Sequence, residues 1–146
     1  NATVSEIKKA ENAILNATGQ RPTLFRPPRG IYSDFARKFL QDERYTIVLW
    51  DVSAIDWAEL SPNSIVANVM NNTGTGSIIL LHDSGDLVKY KGGDRTSTVK
   101  ALPQIIDNLR REGYEFITID QMIFISELME TEEKLHESDT GAITAY

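Results

Sequence analysis

Three short stretches hold the side chains most capable of chemistry. Arg26 and Arg29 lie in FRPPRG, residues 25–30. Asp51, Asp56 and Trp57 lie in DVSAIDW, residues 51–57, and His82 and Asp83 close IILLHD, residues 78–83. A histidine can act as a general acid near neutral pH when a carboxylate favours its charged form and orients its ring. Asp56 or Asp51 is the candidate carboxylate. An arginine can hold a carboxylate through two parallel bonds, and a tryptophan offers the aromatic face that sugar sites use. Each residue also has a plainer reading. The histidine can be a packed residue with one hydrogen bond, and either aspartate can close an Asx turn. Arg26 can be a solvated charge, Trp57 a core residue, and Gly30 a mere turn former. What raises the reading above these is the arrangement, because all three stretches end predicted strands. In parallel α/β folds the C-terminal strand ends form the ligand face.

The elements that must position them alternate. Helices are predicted over 5–17, 34–42, 61–72, 97–112 and 121–130, and strands over 23–26, 46–51, 77–84 and 115–120. Ser5 and Ser33 are candidate caps, and Gly19 and Gly113 candidate stops. Ser61 as cap with Pro62 at the first helical position is a strong start signal. Ile65, Val66, Val69 and Met70 share one face of the third helix. Ala101, Leu102, Ile105, Ile106 and Leu109 form the stripe of the fourth, with Pro103 in its early turns. A polar, glycine-rich loop covers Lys89 to Arg95. The tail from about 131 is polar and acidic and is expected to pack loosely. Strands separated by helices imply an α/β fold of parallel strands with right-handed crossovers. Four strands make a small sheet, suited to a short open sheet or to part of a barrel.

Composition narrows the classes. The chain has 146 residues, 41% hydrophobic and 25% charged, as a globular domain requires. Its net charge of −6 argues against tracking nucleic-acid phosphates. No apolar run approaches the ~20 residues that span a bilayer. The N-terminus lacks the basic and apolar regions of a signal peptide, and reads as that of a trimmed product or excised fragment. Without cysteine there is no disulfide, thiolate or cysteine–zinc chemistry. The only histidines are His82 and His136, the latter in an acidic segment and best read as a solvated helix-end residue.

In order and spacing, FRPPRG, DVSAIDW and IILLHD resemble the last three motifs of the NodB-homology polysaccharide deacetylases, carbohydrate esterase family four. The flanking GQRPTLFRPP and GYEFITIDQM also resemble the family, so the likeness covers residues 1–125 or so. It implies the C-terminal half of a distorted (β/α) barrel over 1–130, followed by the tail 131–146. It implies removal of acetyl groups, mostly N-acetyl, from a glycan such as peptidoglycan, chitin oligomers or xylan. Arg26 matches the arginine that tunes the catalytic base, His82 the general acid, and Asp56 the carboxylate that orients it. Trp57 matches the groove aromatic and Leu80 the lining of the acetyl-methyl pocket. The backbone N–H of Arg29 matches an oxyanion donor, in the turn that Pro28 and Gly30 shape.

Two departures qualify the match. Position 29 is Arg where many members carry Tyr or Phe; the backbone role survives, and the side chain either adds charge beside an anionic glycan or is solvated. Between Asp51 and the next carboxylate the spacing is longer than in the commonest form, which favours Asp56 over Asp51. The family's earlier motifs, which supply the base, a metal aspartate and two metal histidines, have no counterpart here. The resemblance therefore implies that a divalent metal, commonly zinc, is held by a missing N-terminal half, and that this chain alone binds none and is inactive. Expected partners are the glycan, and either that missing half or a second copy on the exposed half-barrel; nucleic acid and a membrane span are not expected. The implied location is extracellular or at the cell surface. A degenerate glycan-binding module is the second reading. An unrelated flavodoxin-like or nucleotide-binding domain is the third, and it lacks a phosphate loop or acidic cluster after the first strand.

Overall fold

The structure is a computed structural model that describes residues 2–58, 60–84 and 93–141, with side chains described as far as residue 135. The chain divides into two compact units, Asn1–Asp51 and Val52–Tyr146.

The first unit contains α1 (Ala2–Thr18), β1 (Leu24–Phe25), a 3-10 turn (Pro28–Gly30), α2 (Asp34–Asp42) and β2 (Thr46–Ile47). Helix α1 begins before Ser5, so Ser5 is an interior residue and not the predicted cap. The helix stops where predicted, at Gly19. There φ is +73°, and the Gly19 N–H donates to the Leu15 carbonyl at 2.8 Å. That left-handed cap suits glycine. Helix α2 matches its predicted bounds, with the Ser33 hydroxyl accepting from the Ala36 N–H at 3.2 Å.

Strands β1 and β2 pair in parallel, Leu24 with Thr46 and Phe25 with Ile47. The predicted strand over 46–51 is thus cut to two residues. Its ladder continues only as far as the bond from Val48 N–H to the Phe25 carbonyl. Beyond Phe25 the partner chain runs into Pro27 and Pro28, which have no N–H to donate. Ile7, Leu40 and Tyr45 form the core of the unit, with Phe25, Phe39 and Ile47 against them. Over this core the Tyr45 hydroxyl donates to Glu11, which also meets Lys8 at 3.3 Å and Arg21 at 3.1 Å. Burial, with the Glu11 bond behind it, pushes the Tyr45 hydroxyl up to about 12. The bond from Tyr45 holds the Glu11 carboxyl below its ordinary range.

The second unit contains β3 (Val52–Ser53), a 3-10 turn (Asp56–Ala58), α3 (Pro62–Met70), β4 (Ile79–Leu80), α4 (Thr96–Arg111) and α5 (Ile119–Gly141). Strands β3 and β4 are parallel, Val52 opposite Ile79 and Ser53 opposite Leu80. The apolar run 77–84 therefore yields a short strand, and β3 is a strand the sequence pattern did not predict. Ser61 caps α3 by accepting from the Ser64 N–H at 3.2 Å, with Pro62 in the first turn. Ile65 and Val69 of α3 pack with Ala101, Ile105 and Leu109 of α4 and with Ala54. The buried stripe of α4 is narrower than predicted. Leu102 is exposed, and Thr98 is buried in its place at the N-terminal end.

Residues 115–118 are not a strand, contrary to the prediction over 115–120, and α5 already begins at Ile119. Phe116 and Ile117 are exposed. A β-rich sequence makes a strand only where a neighbour offers a ladder, and none of the described strands pairs with this segment. Helix α5 continues past residue 130 to Gly141, and residues 131–135 are exposed. Most of the predicted polar loop, and the His136 side chain, lie outside the described residues.

Candidate active site

In the second unit the strand ends bring Asp56 and His82 together. Asp56 follows β3 and is 2% exposed, whereas the His82 side chain, just past β4, is 36% exposed. The contact is double. The Asp56 Oδ1 meets the His82 Nδ1 at 2.7 Å, and the Oδ2 accepts from the His82 backbone N–H at 2.8 Å. The Thr98 hydroxyl also donates to Oδ2, at 3.0 Å. Burial pushes the Asp56 carboxyl up, but the bonds from His82 and Thr98 outweigh it and hold the carboxyl below its ordinary range. An ionised carboxylate only accepts, so the proton shared with it belongs to Nδ1. The remaining ring nitrogen, Nε2, is then the atom that can exchange a proton with a bound molecule.

The backbone around this pair is also fixed. Arg95, 9% exposed, donates through Nη1 to the Asp56 carbonyl at 3.1 Å and through Nε to the Ser84 carbonyl at 3.4 Å. The Asn68 side chain donates to the Ala54 carbonyl at 3.1 Å. Ile55 sits at φ +53°, a conformation that a β-branched residue adopts only when its surroundings force it. Trp57, next in the turn, is 56% exposed, and Leu80 is half-buried in β4.

In the first unit Arg26 is exposed and lies over the Trp50 ring, 5.9 Å from its centroid. No ion pair to Arg26 exists among the described residues. Pro28, Arg29 and Gly30 form the 3-10 turn, in which Arg29 has φ +58° and Gly30 φ +69°. A Cβ on Gly30 would stand 3.2 Å from the Trp50 ring. Gly30→Ala is therefore expected to destabilise the first unit by about 1–2 kcal/mol, the cost of a left-handed non-glycine residue, read as a lower urea midpoint. Asp51, the other candidate carboxylate, is exposed and lies in this unit.

Sequence reasoning missed Trp50, Arg95 and Thr98. Trp50 reads as one more apolar residue of a strand. Arg95 and Thr98 flank a helix start, where their types look like ordinary capping. The only available signal was a threonine on the buried stripe of an otherwise apolar helix face.

A metal does not fit the described residues. No three His, Asp or Glu side chains gather among them. In the histidine–aspartate pair both Asp56 oxygens and the His82 Nδ1 are occupied, which leaves the Nε2 as a single donor atom, too few to hold a metal. No helix among the described residues is long and apolar enough to cross a membrane.

A family profile described as polysaccharide deacetylase matches residues 2–48. A peptidoglycan-N-acetylglucosamine deacetylase of Bacillus cereus is 36% identical over 130 residues, covering 84% of this chain and 58% of its own length. The solved structure of the peptidoglycan deacetylase PdaC from Bacillus subtilis superposes with a TM-score of 0.73 at 31% identity, over 90% of this chain and 58% of that one. The chain belongs to the NodB-homology polysaccharide deacetylases, carbohydrate esterase family four. It covers part of the family's domain and just over half the length of both these relatives. BA3943 from Bacillus anthracis, described as a family-four pseudoenzyme, is also similar, with a TM-score of 0.71 at 28% identity over 82% of this chain and 39% of that one.

Proposed function

We propose that this chain is the acid-side half, residues 1–130, of a glycan deacetylase domain, with 131–146 as its tail. The observation that carries the reading is the Asp56–His82 pair, a buried carboxylate bonded to the Nδ1 edge of an accessible imidazole. Such a pair suits protonation of a leaving amine. His82 gives the proton from Nε2, and Asp56 holds the ring on Nδ1 and balances its charge. Arg26, exposed and without a carboxylate among the described residues, is suited to pair with a catalytic base supplied from outside this chain. The Arg29 N–H is assigned to the acetyl oxygen, in the turn shaped by Pro28 and Gly30. Trp57 is assigned to a sugar face and Leu80 to the acetyl methyl.

The divalent metal that the family implies, zinc by our reading, would activate the carbonyl and water. Its ligands would come from a partner segment outside these residues. In that assembly the two units take their places in a distorted (β/α) barrel, completed by an N-terminal half or, for the chain alone, by self-association. The chain by itself is then inactive. The substrate is then a bacterial cell-wall glycan and the protein works at the cell envelope or outside it, a reading supported by the peptidoglycan deacetylases among the relatives.

The test is acetate release by the whole protein from N-acetylated peptidoglycan, with chitin oligomers and acetylated xylan in parallel. The reading requires release that a chelator abolishes and zinc restores. Binding of the same glycans with no acetate released would favour instead a non-catalytic glycan-binding module, a reading supported by the likeness to a pseudoenzyme.

A further inference from the structure

We propose that Thr98 and Arg95 are positioning residues for proton transfer by His82, an inference that rests on the acid role given to His82 above. Asp56 must do two things at once. It must keep Oδ1 on the ring Nδ1, and it must not swing away when the ring changes charge. Two of its bonds go to His82, so by themselves they let the carboxylate follow the histidine when the ring moves. The Thr98 hydroxyl closes this freedom, because it reaches Oδ2 from α4. Thr98 is 7% exposed and Asp56 2%, so water is poorly placed to substitute for the hydroxyl. Thr98 also belongs to the first turn of α4, the end of a helix that favours a neighbouring anion.

Arg95 acts on the backbone. Its guanidinium bridges the Asp56 and Ser84 carbonyls, tying the turn that carries the aspartate to the segment just past the histidine. A buried arginine spent on carbonyls with no ion pair among the described residues is unusual. Its effect is to fix the separation of two loops. Ile55, immediately before Asp56, has a left-handed backbone, so the turn that Arg95 ties down is a strained one. Among the described residues, the charged groups beside the pair include Arg95, through its contact with the Asp56 backbone, and Asp83, exposed next to the histidine.

The decisive variants are Thr98→Val, which keeps shape and removes the donor, and Thr98→Ser, which keeps the donor. In the whole protein Thr98→Val should lower kcat for amide deacetylation about tenfold, with KM for the glycan unchanged. It should also shift the pH–rate limb that His82→Gln abolishes, and Thr98→Ser should restore most of both. Nitrogen NMR of the His82 ring gives a readout independent of turnover. The native ring should hold its neutral-form proton on Nδ1, and Thr98→Val should mix the tautomers. Arg95→Lys, which cannot span both carbonyls, should show the same mixing. Native kcat and native tautomer in Thr98→Val, with His82→Gln inactive, would overturn the positioning role and leave the proposed function standing. A loss in Thr98→Val that unfolding fully explains, with the folded fraction native in tautomer, overturns it equally. Full activity in His82→Gln would instead remove the reading on which the inference rests, while the tautomer ratio still decides whether Thr98 orients the pair.

Discussion

Replacing His82 with glutamine in the whole protein should lower kcat for amide deacetylation by about 10²–10⁴-fold, with KM changed little. The size follows from the task given to Nε2. An amine cannot leave an amide carbon as its anion, so a proton must arrive as the C–N bond breaks. An aryl acetate is different, because its leaving phenolate needs no such help. The same variant should therefore keep most of its activity on an aryl ester. Comparison of the two substrates separates a lost proton donor from a collapsed site, which would depress both. Equal loss on both substrates would remove the general-acid assignment.

Asp56→Asn should be nearly as damaging, and for a reason visible in the bond directions. Three donors converge on the two oxygens of Asp56. The backbone N–H of His82 and the Thr98 hydroxyl both claim Oδ2, so an amide oxygen would settle there. Its NH₂ would then face Nδ1 and force the neutral ring to carry its proton on Nε2. A ring in the wrong tautomer with no compensating charge behind it has lost its role, and kcat should fall by about 10²–10⁴-fold. Stability should fall as well, by about 1.5–3 kcal/mol for bonds to a charged group that has been neutralised.

The pH dependence of that stability is a second check on the same substitution. Asp56 is held below its ordinary carboxyl range in the folded chain. Its contribution is thus fully present above about pH 4, the unfolded value, and is lost as pH falls through the depressed folded one. In urea titrations between pH 6 and pH 2 the gap between native and Asp56→Asn should narrow only below about pH 4. A gap independent of pH would mean that the carboxylate charge contributes nothing.

Helix starts were the most legible part of the fold. Ser33 and Ser61–Pro62 are local signals, and the backbone obeys them because unpaired N–H groups at a helix start have few other partners. Ser5 misled for the same local reason, since nothing nearby compels α1 to wait for it. Strands were over-read. TIVLWD and SIILLHDS report burial on both faces, but strand length depends on the partner, and each pairing described here lasts two residues. EFITID carries the same apolar signal and pairs with no described strand. Of the candidate site residues, the structure joins Asp56 and His82, both singled out by their places after apolar runs. The longer spacing of the aspartate motif already favoured Asp56 over Asp51, and the structure sets Asp56 against His82. Thr98 and Arg95 lie more than a dozen residues beyond His82 in sequence, and only folding brings α4 back over the pair.

The placing of the two tryptophans has a practical consequence. Trp50 packs against Gly30 and Arg26 within the first unit, and Trp57 stands in the second with more than half its surface in water. Their fluorescence is therefore unequal in what it senses. Trp57 already emits from a wet environment and changes little when its unit opens, so a red shift on denaturation reports chiefly the loosening of Trp50 from Arg26 and from the Pro28–Gly30 turn. Far-ultraviolet circular dichroism follows the helices of both units. Where the two signals part along a urea axis, the arginine turn and the histidine–aspartate pair are coming apart as separate events.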